Sequence, residues 1–247
     1  MILTFLGTGE ACDPDRANTS LLLESDSSYY LFDCGFTVPH AFFHHCQDPE
    51  QLKTLWISHF HGDHFFGVPL LLLRLWEMGR KGALQIISGT PAAEKIWPAL
   101  ELAYPDFKAR LQFPVHFTQL KAGEKFSSQD LLYRSAATIH SQPSFAVKIE
   151  KDNRSFYYSG DGRATAEGEE LMKGCDLIVH EAFTLEERME NHGSVASCLR
   201  LQQKCGYSSM ALVHLARETR RAEKALTKIL SDTKGIHLAT DGEQLIL

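Results

Sequence analysis

Ser58-His59-Phe60-His61-Gly62-Asp63-His64 follows directly on the apolar run Leu55-Trp56-Ile57 and packs three imidazoles and a carboxylate together. A strand that ends in a tight loop there aims His59 and His61 at one point, and Asp63 and His64 at a second point close by. Imidazole nitrogen and carboxylate oxygen are the usual ligands of zinc, and of manganese or iron where the site is richer in oxygen. The spacing H-x-H-x-D-H therefore reads as a site for a pair of metal ions. Chance clustering is the alternative in a chain with 12 histidines, and His44-His45 reads as such a surface pair.

A pair of metals needs further ligands, and strand ends are where they are expected. His140 follows the alternating strand Leu131–Ile139. Asp161 lies in Tyr158-Ser159-Gly160-Asp161, where glycine allows a sharp turn. His214 ends Met210-Ala211-Leu212-Val213. One metal then takes His59, His61 and His140, the other takes Asp63, His64 and His214, and Asp161 bridges them. A water or hydroxide completes the bridge, its pKa lowered by two cations so that hydroxide is available near neutral pH. Zinc is favoured over manganese or iron because every ligand of the first motif is His or Asp.

The 247 residues suffice for one large domain and are short for two, so 1–247 is read as a single unit. A net charge of −6 argues against a generally basic surface built for long nucleic acids and leaves room only for a local basic patch. The six cysteines are scattered, without a C-x-x-C pair, which fits reduced thiols in a cytoplasmic protein. Met1-Ile2-Leu3-Thr4-Phe5-Leu6 lacks the basic flank and long apolar core of a signal peptide. The run Val68 to Leu73 stops at Arg74, far short of a membrane span, and reads as a buried helix.

Alternation and turn residues predict strands at Ile2–Leu6, Ser20–Glu24, Tyr29–Phe32, Leu55–Ile57, Leu84–Ile87, Val115–Leu120, Leu131–Thr138, Phe145–Glu150 and Ser155–Tyr158. A helix is expected from about Gly67 to Met78, and another after Thr90-Pro91, with Thr as its cap. The second half alternates: helix Ala164–Met172, strand Leu177–His180, helix Val195–Cys205, strand Met210–His214, helix Glu218–Leu230, strand Ile236–Ala239. Strands with helices interleaved in both halves predict two sheets packed together with helices outside.

These motifs resemble the metallo-β-lactamase superfamily, and within it the ribonuclease Z-like branch. Phe5-Leu6-Gly7-Thr8-Gly9 is similar to that branch's N-terminal glycine loop, and Asn18-Thr19-Ser20 to the polar turn after it. Leu31-Phe32-Asp33-Cys34-Gly35 resembles its second strand end, and Ser58 to Pro69 its metal loop. Ser159-Gly160-Asp161 resembles its bridging-aspartate motif. Val179-His180-Glu181-Ala182 and His192-Gly193-Ser194 resemble its two late motifs, and Leu212-Val213-His214-Leu215 its final ligand strand. The resemblance runs from about Phe5 to Arg217. It implies an α+β fold, an αββα sandwich of two mixed sheets flanked by helices with the metals at one edge. It also implies a homodimer.

Ribonucleases of the branch cut a phosphodiester, and the late motifs suit that reaction. Two cations neutralise the transferring phosphoryl group while the bridging hydroxide attacks. His192 is the candidate general acid for the leaving alkoxide. His180 and Glu181, at the end of an apolar strand, would orient His192 or a ligand, and Glu181 joins Asp63 and His192 as a candidate catalytic residue. Asp63 would bind metal and help take the proton from water. Ser194 would cap the helix beginning near Val195 and offer amides to a substrate anion, and Arg217 would hold a substrate phosphate. Arg220 and Arg221 read as a solvated helix face.

Members that process transfer RNA carry a long inserted arm between the third His ligand and the bridging Asp. Here only two strands and a turn fit between His140 and Asp161. That departure, the acidic balance and the acidic continuation Glu10-Ala11-Cys12-Asp13 speak against transfer RNA and for a small or cyclic phosphodiester. Two further readings stand beside the phosphodiesterase: a hydrolase of another ester (lactone, thioester or sulfate ester), and a non-catalytic metal-binding protein.

Overall fold

Short runs of leucine, isoleucine, phenylalanine and tyrosine separated by turns pair first with their sequence neighbours. A computed structural model describes residues 1–205 and 209–247. β1 (Ile2–Gly7), β2 (Ser20–Ser25) and β3 (Ser28–Phe32) form an antiparallel meander. β4 (Leu52–Ile57), β5 (Leu84–Ser88) and β6 (Val115–Gln119) then add parallel to β3. Parallel neighbours need crossovers. These carry α1 (Val38–His45), α2 (Gly62–Phe65), α3 (Val68–Glu77) and α4 (Ala93–Ala103).

The second half repeats the plan. β7 (Lys125–Ser128), β8 (Leu131–Ile139), β9 (Phe145–Lys151) and β10 (Arg154–Tyr158) are antiparallel, with the short β11 (Arg163–Ala164) on the edge of β8. β12 (Leu177–Glu181), β13 (Met210–Val213) and β14 (Ile236–Leu238) continue parallel to β10. α5 (Ala166–Met172), α6 (Val195–Cys205), α7 (Arg217–Arg221) and α8 (Glu223–Ser231) lie between them in sequence. β15 (Gln244–Ile246) returns to pair with β1, so the first sheet reads β15-β1-β2-β3-β4-β5-β6.

Period-two alternation sorts side chains into layers. On β4, Trp56 points between the two sheets, where it meets Phe32 and Ile87 together with Tyr133, Val147 and Tyr158 of the second sheet. Its neighbours Leu55 and Ile57 point the other way, under Val38, Leu71, Leu75 and Ile96 of the helices. Tyr157, Ile178 and Leu212 face outward from the second sheet beneath Met172, Val195 and Cys198. The αββα sandwich of two mixed sheets is therefore borne out.

Several boundaries differ from expectation. The helix after Thr90-Pro91 starts at Ala93 with Ala92 as its cap, and it tolerates Pro98 in its interior. Ala164 belongs to β11, and Thr165 caps α5 by accepting from the Gly168 amide. The span Glu218–Leu230 breaks at Ala222, whose ψ of 44° ends α7 and starts α8. α1 also forms where no helix is expected: Phe42 is anchored in the core while His44 and His45 remain at its exposed end.

Candidate metal centre

In both halves the strands deliver their C-terminal ends to one edge of the sandwich. His59 follows β4, His140 follows β8, Asp161 follows β10, Glu181 ends β12 and His214 follows β13. Ligands at the carboxyl ends of strands are held by the sheet while loops stay free to shape a pocket.

Asp33, wholly buried just past β3, organises the first loop. It sits in the left-handed region at φ 59°, which aspartate tolerates better than most residues. Its carboxylate accepts from the Ser58 amide (2.7 Å), the Ser58 hydroxyl (2.7 Å), His64 Nδ1 (2.8 Å) and the Tyr158 hydroxyl (2.7 Å). His64 therefore carries a proton on Nδ1 and turns Nε2 toward the centre. Burial opposes a second proton there, but Asp161 and Asp33 outweigh it and raise the His64 pKa well above the usual value, so a cation would have to displace that proton. The Ser58 hydroxyl, spent as a donor to Asp33, accepts from His59 Nδ1 at 3.0 Å. His140 Nδ1 donates to the Asn191 carbonyl at 3.0 Å. Three outer partners thus fix three histidines with Nε2 facing inward, the orientation a metal ligand needs.

The inward atoms converge on two points. His61 Nδ1 lies 3.0 Å from His59 Nε2 and 3.1 Å from His140 Nε2, with Asp161 Oδ2 3.7 Å from His59 Nε2. At the second point His64 Nε2 is 3.3 Å from both Asp63 Oδ2 and Asp161 Oδ1. His214 Nε2 is 3.3 Å from Asp63 Oδ2 and 3.4 Å from Asp161 Oδ2. Tetrahedral zinc ligands about 2.1 Å from the ion stand roughly 3.4 Å apart, so both clusters have the right dimensions. The buried His64 Nε2 and Asp161 Oδ1 have no hydrogen-bond partner, which a cation between them would satisfy. The donor set fits a metal at each point, with Asp161 common to both groups.

Burial, with His64 beside it, pushes His59 well below the usual imidazole value and keeps it neutral. Burial opposes ionisation of Asp161, but His214 and His64 outweigh it and hold the carboxyl well below the usual range. His214 is pushed up to about 9: burial works against its charge, and Asp161 and Asp63 overcome it. Loading a cation at that point must displace this proton. His214 also adopts φ 56°, a left-handed backbone that turns the chain sharply out of β13.

A third group stands against these two. Glu181, wholly buried, accepts at Oε1 from the amides of Gly162 (2.6 Å) and Gly193 (3.1 Å) and from His192 Nδ1 (3.0 Å). The His192 ring lies 4.9 Å from that of His140 and stacks on Phe183 at 4.6 Å. Burial works to lower the His192 pKa, and the Glu181 hydrogen bond and charge outweigh it and raise it.

The structure thus brings His59, His61, Asp63, His64, His140, Asp161, His214, Glu181 and His192 together. His180 turns to the opposite face of β12, among the residues packed under α6. Ser194 is buried and its hydroxyl accepts from the Ser197 amide at 3.0 Å, while its own amide donates to Ser197 Oγ at 2.8 Å; both groups are spent on capping α6. Arg217 is held by Glu10 at 2.9 Å. Arg220 is not part of a solvated face: its guanidinium grips Asp13 (2.8 Å from Nη2) and Asp15, and only 15 % of its side chain is exposed. Sequence reasoning missed Asp33 and Tyr158 as supports. Asp33 had a signal, a carboxylate directly after an apolar strand and before Cys34-Gly35; Tyr158, inside such a strand, had none.

The chain is similar to the ribonuclease Z of Methanosarcina acetivorans, 25 % identical over 289 aligned positions that cover 95 % of this chain and 92 % of the relative. The ribonuclease Z of Bacillus subtilis (strain 168) is 26 % identical, covering 76 % of this chain and 78 % of its own. Among solved structures, the short form of human tRNase Z superposes with a TM-score of 0.81 at 23 % identity, covering 100 % of this chain and 99 % of that one. The metallo-β-lactamase fold protein YhfI from Bacillus subtilis gives 0.77 at 17 % identity, covering 99 % and 98 %. The fold is that of the metallo-β-lactamases in its ribonuclease Z-like form. Within that fold the profile described as Anti-Pycsar protein Apyc1 matches residues 1–233, and the chain belongs to this family.

Proposed function

We propose that this chain is a metal-dependent phosphodiesterase acting on a small or cyclic phosphodiester rather than on transfer RNA, with His192 as the acid. The observation that carries the reading is the Glu181–His192 pair, set beside two convergent His/Asp clusters that share Asp161. Two zinc ions, held by His59, His61 and His140 and by Asp63, His64 and His214, with Asp161 between them, would when bound neutralise phosphoryl charge and make hydroxide available near neutral pH. Glu181 holds His192 by Nδ1 and leaves Nε2 to hand its proton to the leaving alkoxide. Asp63 is held far below the usual carboxyl range, burial being outweighed by its His214 and His64 contacts, so it serves as a ligand better than as a proton acceptor.

Substrate size follows from what the chain lacks. His140 and Asp161 are joined only by β9, β10 and their turns, and the net charge is −6. The alignment with the ribonuclease Z of Methanosarcina acetivorans runs to more positions than this chain has residues, so that relative carries stretches absent here. Lactone and thioester hydrolysis make less demand for a held acid, which favours the phosphodiester. Six cysteines without a disulfide among the described residues suit a reducing compartment such as the cytoplasm, and no helix among the described residues is long and apolar enough to cross a membrane.

The same reading includes a homodimer. Phe36, Phe66, Leu70 and Leu102 are large, exposed and apolar, and Phe36 and Phe66 contact each other at 5.8 Å beside the metal loop. Light scattering should give twice the chain mass, falling to one in Leu70→Lys with Leu102→Glu.

The activity test is hydrolysis of bis(p-nitrophenyl) phosphate by protein of measured metal content, beside His192→Ala. Two zincs per chain with turnover that collapses in the variant support the proposal. Two zincs without phosphodiester turnover overturn it and direct attention to lactones and thioesters.

A further inference from the structure

Behind His192, on the outer face of the second sheet, a cavity of about 410 Å³ opens between β11, α5 and α6. Its walls include Arg163, Glu169, His180, Ser197, Arg200 and Lys204. The volume is in the range of small-ligand sites.

His180 forms its floor and is 1 % exposed. Its Nδ1 lies 2.7 Å from the Glu181 carbonyl, which can only accept, so Nδ1 carries the ring proton and Nε2 is a lone pair. That Nε2 is buried and has no partner, as is the hydroxyl of Tyr157, whose ring stacks on His180 at 6.4 Å. A buried acceptor of this kind calls for a donor. Around it the walls carry three cations against two carboxylates, Glu169 and Glu187. Arg200 is paired with Glu187 and Lys204 with Glu169, but both cationic side chains are more than half exposed, so an incoming anion can draw them away at little cost. The Arg163 guanidinium has no hydrogen-bond or ion-pair partner among the described residues.

A metal cation is disfavoured by three cationic side chains, and an apolar ligand would leave the imidazole unmet. We propose that this cavity is a second binding site, for a small hydroxylated phosphate monoester whose hydroxyl donates to His180 Nε2 and whose phosphate engages Arg163 and Arg200. Arginine suits the phosphate because its planar fork matches two oxygens at once. The site touches the support of the catalytic centre directly. A Cβ on Gly193 would stand 2.7 Å from the Glu181 carbonyl and 3.4 Å from His180 Cε1, so the backbone that carries His192 rests on the His180 ring.

The test follows the imidazole nitrogens of the metal-loaded protein by long-range proton–nitrogen NMR while ribose 5-phosphate is added, in wild type and Arg163→Gln. The His180 Nε2 resonance should move with occupancy, and Arg163→Gln should raise the half-saturating concentration at least tenfold. Inorganic phosphate should move it far less at equal concentration. A crystal grown with the sugar phosphate should show it against His180. An unmoved His180 resonance overturns the proposal, as does equal binding of inorganic phosphate. So does a crystal with only an ordered water between His180 and Tyr157, the sugar phosphate lying solely at the His/Asp clusters.

Discussion

Glu181 Oε1 receives His192 Nδ1 at 3.0 Å while the amides of Gly162 and Gly193 bind the same oxygen, so one buried carboxylate both charges and aims the imidazole. The proposed acid His192 would work only while protonated, and its pKa is raised above the usual imidazole value. Activity should therefore fall as pH rises through that raised value. In Glu181→Gln the charge that outweighs burial is gone and only the smaller pull of Asp161 remains against burial and His214, which lowers the pKa and moves the alkaline limb to lower pH. Loss of a positioned acid, in His192→Ala, should cost about 10²- to 10⁴-fold in kcat. A kcat/KM profile against pH checks both; an alkaline limb in the same place in Glu181→Gln would remove His192 as its source.

Asp33 gathers four donors without exposure to water. Asn at that position presents an NH₂ to groups that also donate, leaving buried donors unmet at about 1–3 kcal/mol each. It also frees the His64 ring. Asp33→Asn should lower the urea midpoint and weaken metal binding by about 10- to 100-fold, the usual cost of losing an outer partner. Metal titration of folded protein separates the two effects.

Gly35 packs its α-carbon against the metal loop. A Cβ there would overlap the Asp63 carbonyl, which is backbone and cannot swing aside. Gly35→Ala should displace Asp63 and reduce metal content at the point shared by Asp63, His64 and His214, leaving the point shared by His59, His61 and His140 closer to full. Metal counting by mass spectrometry of the native protein gives the stoichiometry.

Asp13 and Arg220 tie the glycine-loop continuation to α7. Burial works to raise the Asp13 pKa, but the Arg220 hydrogen bond outweighs it and holds the carboxyl below its usual 3.8. A carboxyl lowered by folding adds stability that is fully present above the unfolded value and is lost as pH falls through the folded one. Asp13→Asn should cost up to about 1 kcal/mol at neutral pH, the scale of a partly exposed pair. The gap from wild type should close as pH drops below 3.8, read from urea midpoints across that range.

What the sequence carried alone was the local grammar. Alternating apolar runs foretold the strands that line the two sheets because burying one face requires period two. The dense H-x-H-x-D-H loop, with histidine or aspartate at three later strand ends, foretold a metal site because few other arrangements gather so many ligands after apolar strands. The break at Ala222 and the late start of α4 were not legible: propensity describes a segment in isolation, while the packing of neighbouring elements decides where it stops.

Tertiary structure alone decided which residues serve the centre. Asp33 and His64 are far apart in sequence, and only the pairing of β3 with β4 sets a carboxylate beside an imidazole that must face inward. The same holds for the Asn191 carbonyl on His140. Tertiary structure also occupied Ser194, Arg217 and Arg220 by giving each a nearer partner. A side chain's type announces the chemistry it can do, but its neighbours in space fix the proton, the orientation and the charge with which it does it.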